Sequence, residues 1–299
     1  MTAGALVAGA ALVGAVAGWT VVPWASDRAL KRVRARADSW WDDSLEVYRA
    51  FKCAHPGIEP ASASPGEEGA VGLWRDYVLE QAHLGALTRE HLCTLAQAGL
   101  DMSGTVAAGT EEERALRCSF RPRMWQRAIC AVGAAMFAAF AAVLAPGVGA
   151  AVALCVCLLA MEVAVVCDLR ARTIPLETCV LVVLAGAAFQ VVVNGFEGVM
   201  AGLMFAGIAV VGSMAANRVL RGHCPGGAVG GGDVRCMGAL SVATGAGAAC
   251  GFAACYALAA ATSLAGCATK RLTWTDGVPM APFLTVWLAC GASVSLVAT

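Results

Sequence analysis

The stretch VGAAVALCVCLLAMEVAVVCDLRARTIP, residues 148–175, decides the fold class of the chain. From Val148 to Cys167 the run carries one charged side chain, Glu162, and is otherwise apolar or small. About 20 such residues are needed to cross the hydrocarbon core of a bilayer as an α-helix. The run ends at Asp168, and two arginines and an Ile-Pro pair follow. This pattern predicts a transmembrane helix that delivers a carboxylate to the membrane boundary.

The composition of the whole chain agrees with a membrane environment. The 299 residues are 59% hydrophobic and only 14% charged, and the mean hydropathy is +0.70. Soluble domains usually carry about 25% charged residues. The formal net charge is zero, which argues against nucleic-acid binding driven by a basic surface.

Eight apolar runs predict an all-α, polytopic membrane protein with about eight transmembrane helices and a small helical cytoplasmic insertion after the first. The predicted spans are 3–24, 128–145, 148–167, 176–193, 197–217, 234–246, 248–267 and 281–298. Three short breaks, APGVG, NGFEG and TGAG, separate paired spans and predict hairpins.

The cations predict the orientation and a division into three parts. Of the 21 Lys and Arg residues, 14 lie between residues 26 and 127, and the other seven lie at predicted cytoplasmic ends. By the positive-inside rule the N-terminus is then outside. The parts are an N-terminal anchor (1–25), a cytoplasmic helical region of unknown role (26–124) and a transmembrane domain (125–299). Cleavage of the first run near PWAS, as in a signal peptide, is the alternative.

Two carboxylates, Asp168 and Asp233, fall at the same predicted membrane face. An acid at membrane depth costs roughly 2.5–3.5 kcal/mol unless it is paired or hydrated. Asp233 alone could simply cap a helix N-terminus. Two neighbouring acids, however, can share a proton and divide the work of peptide hydrolysis as in aspartic proteases. The glycines before Asp233 would let a substrate backbone approach closely, and a phosphate-binding loop is disfavoured because no Lys-Ser/Thr pair follows them.

Three motifs carry a resemblance to a known family. GGGD (230–233) fits the G-x-G-D motif of intramembrane aspartic proteases, and DLRARTIP (168–175) fits the first-aspartate motif of the type IV prepilin peptidases. VPMAPFL (278–284) is similar to the motif that precedes the last helix of that family. Together they cover residues 125–299, and the chain resembles a type IV prepilin peptidase.

The resemblance implies a hydrolase that cleaves the leader of type IV prepilins or pseudopilins just after a glycine. Its catalytic residues would be Asp168 and Asp233, at the cytoplasmic face of a bacterial inner membrane. Its partners would be those precursors, the lipid bilayer and pilus or secretion assembly proteins. The remaining motif residues, with a role in substrate binding, would be Gly230, Gly232, Ile174 and Pro175.

The cysteines depart from the resemblance. Bifunctional prepilin peptidases carry two C-x-x-C pairs, thought to bind zinc, and methylate the new N-terminus with S-adenosylmethionine. This chain has 14 cysteines and no C-x-x-C pair. The sequence therefore predicts no metal site and no cofactor for proteolysis, and S-adenosylmethionine would be needed only if methylation were retained.

Three other residues are candidates for a role at the site, and a rival function is compatible with the same acids. Glu162 lies six residues before Asp168, so on a helix it faces away from it and would give a supporting hydrogen bond. His223 and Cys224 are interpreted as ordinary loop residues. The rival function is a non-catalytic membrane assembly or transport component whose acids bind protons or cations. It requires both aspartates to face a water path rather than each other.

Overall fold

The computed structural model describes residues 3–56, 77, 122–219, 229–270 and 278–297, and within those ranges the chain is helical with no β-strand. This agrees with the predicted all-α class. The helices are α1 (Ala3–Ala54), α2 (Met124–Leu144), α3 (Val148–Ala171), α4 (Leu176–Val219), α5 (Gly231–Thr244), α6 (Ala248–Ala268) and α7 (Ala281–Val297). A short 3₁₀ turn, Gly245–Gly247, joins α5 to α6.

Five helical stretches of the described chain are long and apolar enough to cross a membrane, which indicates a membrane protein. They are Gly4–Arg32, Met124–Leu144, Val148–Ala171, Leu176–Val219 and Gly231–Ala268. The shorter apolar helix Ala281–Val297 follows them.

The helix that begins with the predicted span 3–24 does not end with that span, because α1 continues to Ala54. The charged sequence after Trp24 contains neither glycine nor proline up to that point. Charges end a hydrophobic run, but only a backbone that cannot continue in helical geometry ends a helix. The transition from apolar to polar sequence therefore brings no change of secondary structure.

The chain reverses direction inside α4, at the predicted NGFEG break, where Gly195 adopts φ 66° and ψ −161°. A Cβ built on Gly186 would lie 2.5 Å from the Cα of Ala243, and one on Gly202 would lie 2.8 Å from the Cα of Val242. The two glycines therefore lie within about 12 Å of each other. Sixteen residues of straight helix (202 − 186) would separate them by about 24 Å. The left-handed φ explains why a glycine occupies the turn.

A second reversal lies between α5 and α6, at the predicted TGAG break. Gly245 adopts φ 52° and ψ −126° there. The Tyr256 hydroxyl donates a hydrogen bond to Met237 Sδ at 3.4 Å, whereas 19 residues (256 − 237) of straight helix would span about 28 Å. The two helices thus pack side by side.

Glycines also set the packing of α1 on α2. A Cβ on Gly14 would overlap the Ala134 backbone, and a Cβ on Gly18 would overlap the Cys130 backbone. This G-x-x-x-G spacing is the small-residue pattern that lets membrane helices approach closely. Sequence analysis did not single it out.

The chain divides into two compact units, which are described separately. In the first, Met1–Ala29 with Phe120–Thr299, α3 lies in the core. Its residues form a buried core with side chains from α4, α5 and α7: Leu154, Leu158, Met161, Phe189, Leu240, Leu284, Trp287 and Leu288.

In the second unit, Leu30–Ser119, the Phe51 ring stacks on His55 with ring centroids 4.7 Å apart and meets Tyr77 edge-on at 5.4 Å. Most of the helices predicted for this region lie outside the described residues.

Candidate active site

Asp168 lies in the last turn of α3 and is held by the start of α7. The side chain is only 5% exposed. Its Oδ2 accepts a hydrogen bond from the backbone N–H of Ala281 at 2.9 Å. Ala281 is the first residue of α7, so the carboxylate meets one of the free N–H groups, and the positive end, of a helix. The VPMAPFL motif is thereby brought to the first aspartate.

The sequence after Asp168 explains why α3 stops there. Arg172 adopts a left-handed conformation with φ 51°, and its N–H closes the last turn on the Asp168 carbonyl at 2.9 Å. Pro175 then precedes α4, whose first turn closes when the Thr178 hydroxyl donates to the Pro175 carbonyl at 2.6 Å. Pro175 is buried. It therefore contributes to the turn between α3 and α4, which follows Asp168 closely in the sequence.

Asp233 is the third residue of α5, and its carboxylate turns back over the start of its own helix. Asp233 stands in the first turn after the N-cap residue Gly230. A Cβ on Gly230 would lie 3.0 Å from Asp233 Oδ2, so the carboxylate covers the face of that glycine. The side chain is half-buried. Asp233 therefore lies at a helix N-terminus, where the dipole favours a carboxylate.

The fold brings the two motif halves together. A Cβ on Gly232 would lie 3.6 Å from both the backbone N and the Cβ of Ile174, which is buried. The glycine-rich loop and the Ile-Pro turn are thus in contact distance beside the acids.

Glu162 points away from this site, as its helical spacing predicts. It is 8% exposed, and its Oε2 has no hydrogen-bond partner among the described residues. Its Oε1 faces α2, where a Cβ on Gly133 would lie 3.1 Å away. The predicted supporting hydrogen bond is not seen at Oε2. His223 and Cys224 lie outside the described residues.

Two contributors to the site were missed by sequence analysis. One is the Ala281 amide, which no side-chain pattern can reveal. The other is Asn217 in the last turn of α4, whose side chain bonds to the backbone of Val229 just before the GGGD motif. An amide side chain near the end of an apolar helix was the available signal.

Within the described part of the chain, no group of three or more His, Cys, Asp or Glu side chains is placed to hold a metal ion. Comparisons with protein-family models, with curated proteins and with solved structures found no match.

Proposed function

We propose that the chain is an integral membrane aspartic endopeptidase of the prepilin-peptidase type, with Asp168 and Asp233 as its catalytic pair. One observation carries the proposal: Gly232, which directly precedes Asp233, lies against Ile174, six residues after Asp168, so both halves of the motif converge. Two neighbouring acids that share one proton are the arrangement that peptide hydrolysis by aspartic proteases requires.

The chemistry follows from the pair sharing one proton. The ionised carboxylate takes a proton from a water molecule, whose oxygen attacks the carbonyl carbon of the scissile peptide. The protonated carboxyl donates a hydrogen bond to the carbonyl oxygen and stabilises the charge that develops there. As the C–N bond breaks, a proton passes from the pair to the leaving nitrogen. The products are a free carboxyl end on the leader and a free amine on the mature protein.

The proposed membrane arrangement has eight spans, with the N-terminus outside and residues 26–124 in the cytoplasm. The reversals at Gly195 and Gly245 support this count, because each divides one long apolar stretch into two antiparallel helices. Both aspartates then lie at the cytoplasmic face, together with the majority of the cations. In a bacterium this would be the inner membrane.

The proposed substrate is a prepilin or pseudopilin, presented as a short basic leader followed by an apolar helix. N-methylation is not included in the proposal, because the C-x-x-C pairs that accompany it in the family are absent from the sequence. The residues present therefore do not fit the zinc site of the bifunctional enzymes, and no step is assigned to zinc or to S-adenosylmethionine.

Substitution of each acid by its amide tests the proposal. Asp168→Asn keeps an oxygen that can accept the Ala281 N–H, and Asp233→Asn keeps the size and shape of a half-buried side chain, so both variants should fold. Each should slow leader cleavage by about 1,000-fold or more, since neither can complete the proton relay. The assay is incubation of the full chain in lipid with a pilin-type precursor whose basic leader ends in glycine. Mass spectrometry of the product N-terminus then reports the cut position and any added methyl group.

Glu197→Gln is the matched control, because it makes the same acid-to-amide change at an exposed position near the Gly195 reversal. It should cleave at the wild-type rate. The pair assignment is wrong if Asp168→Asn or Asp233→Asn cleaves as fast as this control.

A proton- or cation-binding membrane component is the second candidate function. The observation that favours it is Glu162, a third acid within a predicted span whose Oε2 has no partner in the described chain. Under this function all acid-to-amide variants would leave precursor cleavage at zero, and Glu162→Gln would abolish proton or cation uptake into liposomes that contain the purified chain.

A further inference from the structure

The side chain of Asn217 holds a single backbone residue by both of its polar groups. Its Nδ2 donates to the carbonyl of Val229 at 3.0 Å, and the Val229 N–H donates to its Oδ1 at 2.8 Å. Asn217 lies in the last turn of α4, which ends at Val219. Two parallel hydrogen bonds fix both the position and the direction of the backbone they hold, as a neighbouring β-strand would.

The residue held by Asn217 directly precedes the glycine against which the Asp233 carboxylate lies. The Val229 carbonyl and the Gly230 nitrogen belong to one peptide group, which is planar and trans. The carbonyl of this group accepts from Asn217, and a Cβ on Gly230 would lie 3.0 Å from Asp233 Oδ2. The peptide that Asn217 holds therefore leads directly into the contact between Gly230 and the carboxylate.

This arrangement couples Asn217 to Asp233 through the backbone. Because a trans peptide is rigid, fixing the Val229 carbonyl also fixes the positions of the Gly230 nitrogen and Cα. The next residues add to the rigidity, since the Val234 N–H closes the first turn of α5 on the Gly230 carbonyl at 3.1 Å.

We propose that Asn217 is a positioning residue for Asp233, acting through the Val229–Gly230 peptide. The role rests on the proposed peptidase function, because it matters only if Asp233 takes part in the reaction. Catalytic groups must be held within about 0.5 Å of their productive position, and a misplacement of about 1 Å can cost 100-fold in rate. Loss of the Asn217 amide should therefore lower kcat by about 10- to 100-fold and leave KM unchanged.

The test uses three variants of the full chain in lipid nanodiscs. Asn217→Ala removes both hydrogen bonds, Asn217→Ser serves the same purpose if the alanine variant does not accumulate, and Asn217→Gln restores both groups on a longer stem. Ser213→Ala is the matched control. It lies one turn earlier on the same helix, and its buried hydroxyl bonds only to the Ala209 carbonyl of its own helix at 2.7 Å.

Two measurements are made on each variant. Hydrogen-exchange mass spectrometry reports the backbone amides of residues 229–236 without any need for activity. Cleavage of a pilin-type precursor with a basic leader ending in glycine gives kcat and KM, normalised to the folded fraction. We expect Asn217→Ala to raise exchange in that segment and to lower kcat alone, Asn217→Gln to recover part of both, and Ser213→Ala to change neither.

The outcomes separate this inference from the function on which it rests. Faster exchange with unchanged kcat would overturn the positioning role, and unchanged exchange would overturn the claim that Asn217 holds this backbone. A wild-type chain that cleaves no precursor would refute the peptidase function and the positioning role together, whatever the exchange measurement showed. A fall in kcat that Asn217→Gln partly reverses would support positioning over a general loss of stability.

Discussion

Replacement of Gly230 by alanine changes the placement of one carboxylate and little else. The backbone at Gly230 has φ −63° and ψ 144°, which alanine adopts without strain. The added Cβ would lie 3.0 Å from Asp233 Oδ2, whereas ordinary contacts begin near 3.4 Å. The carboxylate must therefore retreat by about 0.4 Å. Since a displacement of about 1 Å can cost 100-fold, we expect kcat to fall by about 3- to 10-fold, or roughly 1 kcal/mol in the activation free energy.

The neighbouring glycines, Gly231 and Gly232, are the controls for this prediction. A Cβ on Gly231 would meet no atom within 4 Å, so Gly231→Ala should leave kcat unchanged. A Cβ on Gly232 would make only ordinary contacts with Ile174, the nearest at 3.6 Å. The assay is steady-state cleavage of the same leader substrate by the three variants in parallel, with the folded fraction of each measured by size-exclusion chromatography.

The glycine series also separates two explanations for the motif. If the glycines serve close approach of a substrate backbone, Gly231→Ala or Gly232→Ala should raise KM, and Gly230→Ala should not stand apart. If instead only Gly230 must remain a glycine, so that Asp233 can turn back over it, Gly230→Ala alone should lower kcat. A Gly230→Ala variant with wild-type kcat would refute the geometric reasoning.

Two further predictions concern stability, and neither depends on the function. Gln190 is fully buried and bonds to Asn194, Ser295 and the carbonyl of Ala243. Because Gln190→Leu leaves buried partners unsatisfied, it should lower the free energy of unfolding in detergent by about 2–4 kcal/mol, and a loss below 0.5 kcal/mol would contradict this. Gly14→Val should lower the thermal unfolding temperature by several degrees through the overlap of α1 with α2. Gly4→Val, with no atom within 4 Å, should not, and equal effects would show that α1 does not pack through Gly14.

Much of the fold could be predicted from hydrophobic run lengths and breaker residues. The predicted span 148–167 corresponds to Val148–Ala171, and the predicted breaks coincide with the reversals at Gly195 and Gly245. Run lengths report where the chain is apolar, and breakers report where a helix cannot continue. The extension of α1 to Ala54 could not be predicted from run lengths, because the apolar run ends near Trp24 while no breaker ends the helix there.

The site was predictable only as far as its side chains form local motifs. Asp168, Asp233 and the Ile-Pro turn could be found because each stands in a short recognisable pattern. The Ala281 amide could not, because its bond to Asp168 joins residues 113 positions apart and uses a group that every residue except proline possesses. Asn217 was overlooked for a related reason, since its partner is the backbone of Val229 and carries no sequence signal.

The two acids both lie at a helix N-terminus. For Asp168 this depends on the position at which α7 begins. Asp233 lies at the N-terminus of its own helix, where the dipole and free N–H groups favour a carboxylate. Asp168 lies in the last turn of α3, where its own helix dipole opposes a negative charge. The α7 N-terminus offsets that penalty by bringing the Ala281 N–H to Asp168 Oδ2. Each carboxylate therefore lies at a helix N-terminus, and for Asp168 the fold supplies that terminus from a different helix.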